Sequence, residues 1–162
     1  MTTPEFQIRR ATVADVPTIL SLIRELADFE RLSHECVATE ALLEESLFGP
    51  RPGAEVVIGQ LGSEVVGFAL FFPNFSTFLG RPGLYLEDLF VRPKYRGQGY
   101  GEHLLRHLAS ICVERDYGRL EWSVLDWNQR AIDFYKSLGA QPMDEWTVFR
   151  VTGDALTKLG SQ

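Results

Sequence analysis

Two cysteines, Cys36 and Cys112, are all that this 162-residue chain contains. They stand far apart and form neither a Cys-x-x-Cys nor a Cys/His ligand pattern. Disulfide stapling and a zinc site are therefore not expected, and two free thiols in a reducing compartment are. No apolar run approaches the ~20 residues that span a bilayer, and the N-terminal MTTPEFQIRR lacks the apolar centre of a signal peptide. A soluble cytoplasmic protein with no membrane partner is the expectation. Basic residues are in deficit, 16 Lys and Arg against 22 Asp and Glu for a net charge of −6, which disfavours nucleic acid held by phosphate neutralisation. Repeats, low-complexity tracts and Pro/Gly/Ser-rich linkers are missing as well, so residues 1–162 read as one domain.

What is present suits a compact enzyme-sized fold. Hydrophobic residues make up 45% and aromatics 12% of the chain, enough to offset the ordering entropy of one core. Charge is unevenly spread: residues 1–48 carry nine acidic and four basic side chains. Such a sector is either a solvated helix face or a field that attracts a cationic substrate. A strand is predicted at Phe6–Arg10. Helical spacing of Val16, Ile19, Leu20, Ile23, Leu26 and Ala27 then predicts a helix opened by Thr12 and Asp15. Thr39 opens a second helix over Glu40–Phe48, stopped at Gly49-Pro50. The period then changes to that of strands, Ala54–Leu61 and Glu64–Phe72 around a Gly62-Ser63 turn, followed by Leu84–Val91. A loop over Arg92–Gln98 leads into a helix with Leu104, Leu105, Leu108, Ile111 and Cys112 on one face. Strand 120–125, helix 129–138 stopped by Gly139, and strand 146–151 complete an α/β chain, read as an α+β mixed sheet flanked by helices.

The sharpest local signal is Arg96-Gly97-Gln98-Gly99-Tyr100-Gly101, set between a buried strand and an amphipathic helix. Glycines there let backbone N–H groups converge on one concavity at a helix start, which suits a diphosphate, with Arg96, Arg92 and Lys94 as nearby cations. The bland alternative is a tight turn. No Gly-Lys-Ser/Thr tripeptide exists for a nucleoside triphosphate, and the glycine spacing differs from the dinucleotide fingerprint.

The run fits the acyl-CoA signature Arg/Gln-x-x-Gly-x-Gly/Ala. With Leu86-Glu87-Asp88, Trp127-Asn128, Phe134-Tyr135-Lys136 and Glu25-Leu26-Ala27 it resembles the GNAT N-acetyltransferase superfamily, in particular its spermidine/spermine (diamine) branch. The resemblance implies a GNAT-like acyl-CoA N-acyltransferase fold, acetyl-CoA as donor, no metal, and a homodimer. It implies that Leu89, Phe90 and Val91 offer strand backbone to the pantetheine arm. Arg96, Gly97, Gln98, Gly99, Tyr100, Gly101 and Glu102 would enclose the pyrophosphate, and Asn128 would orient the cofactor. Tyr135 matches the proton donor to the departing thiolate and Glu87 the carboxylate that helps deprotonate the amine. Glu30, Asp88 and Glu145, with Trp146 as channel wall, fall where that branch meets its substrate. Phe29 stands where the branch usually has a tyrosine.

Elementary chemistry gives these roles weight. A primary amine of pKa about 10.4 presents its lone pair in only about one molecule in a few thousand at pH 7, so a base is needed. Glu87 could serve, or be a strand-end acid paired with an arginine; strand alternation predicts that it and Asp88 face opposite ways. Tyr135 is either the acid or a core aromatic beside Phe134. His103 and His107 have the i, i+4 spacing of metal ligands but no third partner. The expected reaction is direct transfer from acetyl-CoA to the primary amine of a small cation: a diamine, a polyamine or a lysine-like amino acid such as thialysine. A non-catalytic acyl-CoA-binding module and an acetyltransferase of protein or peptide amines are the competing classes.

Overall fold

The computed structural model describes residues 2–161, which fall into two compact units divided after Ser123. The first holds β1 (Phe6–Arg10), α1 (Val16–Phe29), α2 (Glu40–Phe48), β2 (Glu55–Leu61), β3 (Glu64–Ser76), β4 (Arg81–Val91), α3 (Tyr100–Glu114) and β5 (Leu120–Trp122). The five strands lie in sequence order; the first four are antiparallel and β5 runs parallel to β4. This is the mixed sheet that the strand-rich middle of the sequence predicts.

Local chemistry sets the boundaries. The Thr12 N–H donates to Asp15 Oδ2 at 2.7 Å ahead of α1, and Pro17 sits in its first turn, where no N–H is required. Thr39 Oγ1 accepts from the Leu42 N–H at 3.2 Å and opens α2. Ile19 and Leu22 of α1 and Leu47 of α2 bury against Val56, Ile58, Phe68 and Phe90 on one sheet face. Each such side chain removed from water is worth roughly 1.5–3 kcal/mol. The other face meets α3, where Gly101 lies over Leu89 and Val91: a Cβ built there would be 3.8 and 3.9 Å from them.

β4 is irregular at one point. Leu70 pairs with Asp88, yet the next residue of β3, Phe71, pairs with Leu86. Glu87 is thus the extra residue of a β-bulge. Cross-strand partners share a face, so Asp88 and Phe90 follow Leu70 and Phe68 toward the helix α1 side. Pairing with β5 runs from Leu84↔Leu120 to Leu86↔Trp122 and stops beside the bulge. The strand predicted over residues 120–125 therefore ends three residues early, because the backbone it pairs with turns away.

The second unit, described by itself, contains α4 (Gln129–Ser137) and α5 (Gly153–Gly160). Asn128 Oδ1 accepts from the Ala131 N–H at 3.3 Å and starts α4. The strand predicted over Trp146–Val151 is not formed: the segment carries strand-type residues but no ladder partner among the described residues, and β-propensity without pairing does not make a strand. Trp146, Val148 and Phe149 are exposed. Helix α5, not predicted, begins after Thr152 with Asp154 in its first turn. Among the described residues no helix is long and apolar enough to cross a membrane.

Candidate active site

The glycine loop is an open cradle. Gly97 and Gly99 adopt φ of +79° and +84°, and a Cβ built on either meets no heavy atom within 4 Å. Only glycine takes this backbone without strain, and the space beside it stays empty of protein. Gly99 is also the cap of α3, whose first backbone N–H groups point out of the helix toward that space. These features fit a diphosphate: concave backbone donors, the positive end of a helix, and no side chain in the way.

The flanking cations are arranged differently from their sequence expectation. Arg92 donates from Nε and Nη2 to Glu25 Oε2 at 3.2 and 3.1 Å and from Nη1 to the Val65 carbonyl at 3.1 Å. Lys94 lies 3.6 Å from Glu64 and over the Tyr95 ring. Both are engaged in fixing the loop's root rather than facing its cavity, as is Tyr95, whose hydroxyl donates to Glu64. Arg96 donates from Nε to the Val91 carbonyl at 2.9 Å. Tyr100 stacks on Phe6 with ring centres 4.4 Å apart, and its hydroxyl donates to Gln98 Oε1 at 3.1 Å. Glu102 accepts from Arg106 one turn on, and His103 packs its ring by Phe6 and Tyr100. Among the described residues no group of three or more His, Cys, Asp or Glu side chains is placed so that it could hold a metal ion.

Leu89, Phe90 and Val91 lie just past the bulge, on the stretch of β4 that β5 no longer pairs with. β5 leaves their edge on that side without a ladder partner, and the Val91 carbonyl accepts Arg96. Three acids collect at the same end of the strand. Burial, then Glu87, then Glu30, push the Asp88 carboxyl up to about 6 from 3.8. Burial and then Glu87 raise Glu30, the residue that caps the C-terminus of α1. The pleat alternation expected to separate Glu87 from Asp88 is interrupted by the bulge, and both carboxylates lie within electrostatic reach of Glu30. Three neighbouring carboxylates, two of them partly buried, make a negative field suited to a cation.

Asn128 and Tyr135 lie on the second unit. Asn128 caps α4, and Tyr135 is half-buried seven residues on, its ring 5.7 Å from that of Phe134. Glu145 and Trp146 are exposed. Sequence reasoning missed the Glu25–Arg92 and Glu64–Tyr95 contacts, which join residues 67 and 31 positions apart. No local pattern signals such pairs; only the fold brings them together.

Comparison with known proteins adds four findings. The family model described as acetyltransferase (GNAT) matches residues 20–140. A thialysine N-epsilon-acetyltransferase of Bos taurus is 39% identical over 166 residues, covering 96% of this chain and 97% of the bovine one. An L-ornithine N5-acetyltransferase of Arabidopsis thaliana is 38% identical over 198 residues, covering 94% and 87%. Among solved structures, an integron cassette protein from the mobile metagenome of V. cholerae aligns with a TM-score of 0.82 at 28% identity, covering 97% of this chain and 98% of that one.

Proposed function

Because this chain belongs to the acetyltransferase (GNAT) family, whose members use acetyl-CoA, we propose that it acetylates a primary amine of a small cationic molecule by direct attack in a ternary complex. The acceptor is a diamine, a polyamine or a lysine-like amino acid such as ornithine or thialysine, the substrates that its relatives' names carry. The observation that carries the reading is the pairing, on one unit, of an open left-handed glycine loop with the Glu30–Glu87–Asp88 field at the same strand. The two features serve donor and acceptor respectively.

In this reading acetyl-CoA supplies the activated thioester. Backbone N–H groups over Gly97–Glu102 hold its pyrophosphate, and Leu89–Val91 align its pantetheine arm. Glu30 and Asp88 hold the ammonium ends of the acceptor. Glu87, on the bulge and exposed, takes the proton that the amine must shed before its nitrogen can attack. Tyr135 gives a proton to the departing thiolate, Asn128 orients the donor, and Glu145 with Trp146 lines the acceptor's path. Residues 1–162 work as one catalytic domain, cytoplasmic, in a homodimer that buries the exposed Trp146–Val151 segment.

The test is thiol release from acetyl-CoA over L-ornithine, thialysine, spermidine, 1,4-diaminobutane, a neutral-tailed monoamine and a lysine-containing peptide. Turnover that favours dications or lysine-like amines, with KM rising as salt is added, is expected. Acetyl-CoA binding without turnover on any amine would convert the reading to a binding module, and preference for the peptide would move the acceptor to protein.

A further inference from the structure

The cation of the glycine loop does not simply face the cavity. The guanidinium carbon of Arg96 lies 4.6 Å from the ring centre of Phe29 and 5.2 Å from that of Phe90, while Nε donates to the Val91 carbonyl. One side chain thus touches the last residue of α1 and the last two residues of β4, the first of them buried. The residue after Phe29 is Glu30; the residue after Arg96 is Gly97, the first left-handed glycine of the loop. A planar, weakly hydrated guanidinium is the group that stacks against ring faces, which an ammonium does less well. Burial here lowers the Arg96 pKa from its ordinary value.

We infer that Arg96 is a positioning residue which, lying against the rings of Phe29 and Phe90, couples occupancy of the glycine loop to the placement of Glu30, so that donor and amine strengthen each other's binding. The inference rests on the assignment of the loop to the donor and of Glu30 to the acceptor. Fixing the loop's backbone fixes the root of Arg96; fixing Arg96 fixes the ring it lies on and, one residue on, the acid. The coupling is reciprocal, because an effect of one ligand on the other's affinity must be returned in equal measure.

Hydrogen exchange with CoA as the probe reads this directly. The amides of Glu30, Arg31 and Leu32 bond to the carbonyls of Leu26, Asp28 and Ala27 at 2.9, 3.0 and 2.8 Å, remote in sequence from the loop. Saturating CoA should slow their exchange several-fold in the wild type and in Phe29→Tyr, which keeps a ring. Phe29→Leu and Arg96→Lys should lose that protection even with the loop saturated. In steady state Phe29→Leu should raise the acetyl-CoA KM about fivefold, at the low end of known couplings, with kcat within about twofold. A merely structural Phe29 would lower the melting temperature and leave CoA-dependent protection intact, which overturns the coupling. Wild-type protein that binds CoA by calorimetry but shows no protection at Glu30–Leu32 overturns it alone. Wild-type protein that binds no CoA overturns the loop assignment and the coupling together.

Discussion

Asp88→Asn should stabilise the protein at neutral pH and have no effect on stability in acid. The Asp88 carboxyl is raised to about 6 from 3.8, first by burial and then by Glu87 and Glu30. A folded-state pKa above the unfolded one means that the native state holds this proton more tightly. Stability from the protonated group is complete below pH ~3.8 and is lost as pH rises through ~6. At about 1.4 kcal/mol per tenfold change in proton affinity, the ionised carboxylate costs the fold up to about 3 kcal/mol at pH 7.5. The amide has the same shape and no charge, so it removes that cost. For a chain of this length the melting temperature should rise by at most roughly 6–12 °C. Wild type and variant are compared by urea or thermal unfolding from pH 4 to pH 8.5. Asp15 and Glu55, which Arg9 and Arg115 hold below their ordinary values, lose their contribution only toward the acid end of the series; neither acts on Asp88, so they contribute equally to both proteins and cancel in the difference. The difference should be near zero at pH 4 and grow through pH 6. An offset constant with pH, or a wild type more stable than the variant at pH 8, would refute the reasoning. The same variant should bind cationic amines more weakly, so stability and function trade against one another at this residue.

Tyr135→Phe should leave acetyl-CoA affinity intact and lower kcat by about 10²- to 10⁴-fold, the range of general acid catalysis; stopped turnover assays and calorimetry on one preparation check it, and unchanged kcat would end the assignment. Gly99→Val, at φ +84°, should keep the sheet folded while weakening acetyl-CoA binding at least tenfold by calorimetry, through backbone strain and a side chain in the cradle. Gly67→Ala should destabilise the fold by a few kcal/mol, because its Cβ would stand 2.3 Å from the Phe90 carbonyl oxygen, a backbone atom with no room to yield; chemical denaturation measures the loss. Sedimentation at micromolar concentration should show a dimer that Phe149→Asp dissociates, since Phe149 is 91% exposed in the single chain.

The periodic parts of the fold were legible from sequence. The stripes at Val16–Ala27 and Leu104–Cys112 and the Val/Ile/Phe runs from Ala54 to Val91 announced α1, α3 and the hairpins, because each buries a face set by its own repeat. Trp146–Val151 read as a strand for the same reason and is not one, since a strand also needs a neighbour. Helix α5 was missed because glycine at both ends hid a Thr152–Asp154 start. In the site, the positive φ of Gly97 and Gly99 was legible from the glycine run; the nearness of Glu87 and Asp88 to Glu30 was not, because strand alternation sends residues 87 and 88 to opposite faces and nothing local signals the bulge that interrupts it. The commitments of Arg92 and Lys94 to Glu25 and Glu64 were not legible either, because charge alone gives no direction: which anion a cation meets depends on a fold that brings distant residues together.

The extra residue at 87 separates two properties of β4 that a uniform strand would merge. Removing Glu87 outright would leave Leu86, Asp88, Leu89 and Phe90 opposite Phe71, Leu70, Ala69 and Phe68 as they are now, so the core would hardly register the deletion. What would vanish is the wedge: a continuous pleat would let the β5 side zip past Leu86 and seal the backbone edge of Leu89–Val91. A substitution at 87 removes a carboxylate and leaves the gap; a deletion closes the gap. The chain's length at this point sets whether a ligand has somewhere to lie, and its side chain sets what can be done to that ligand.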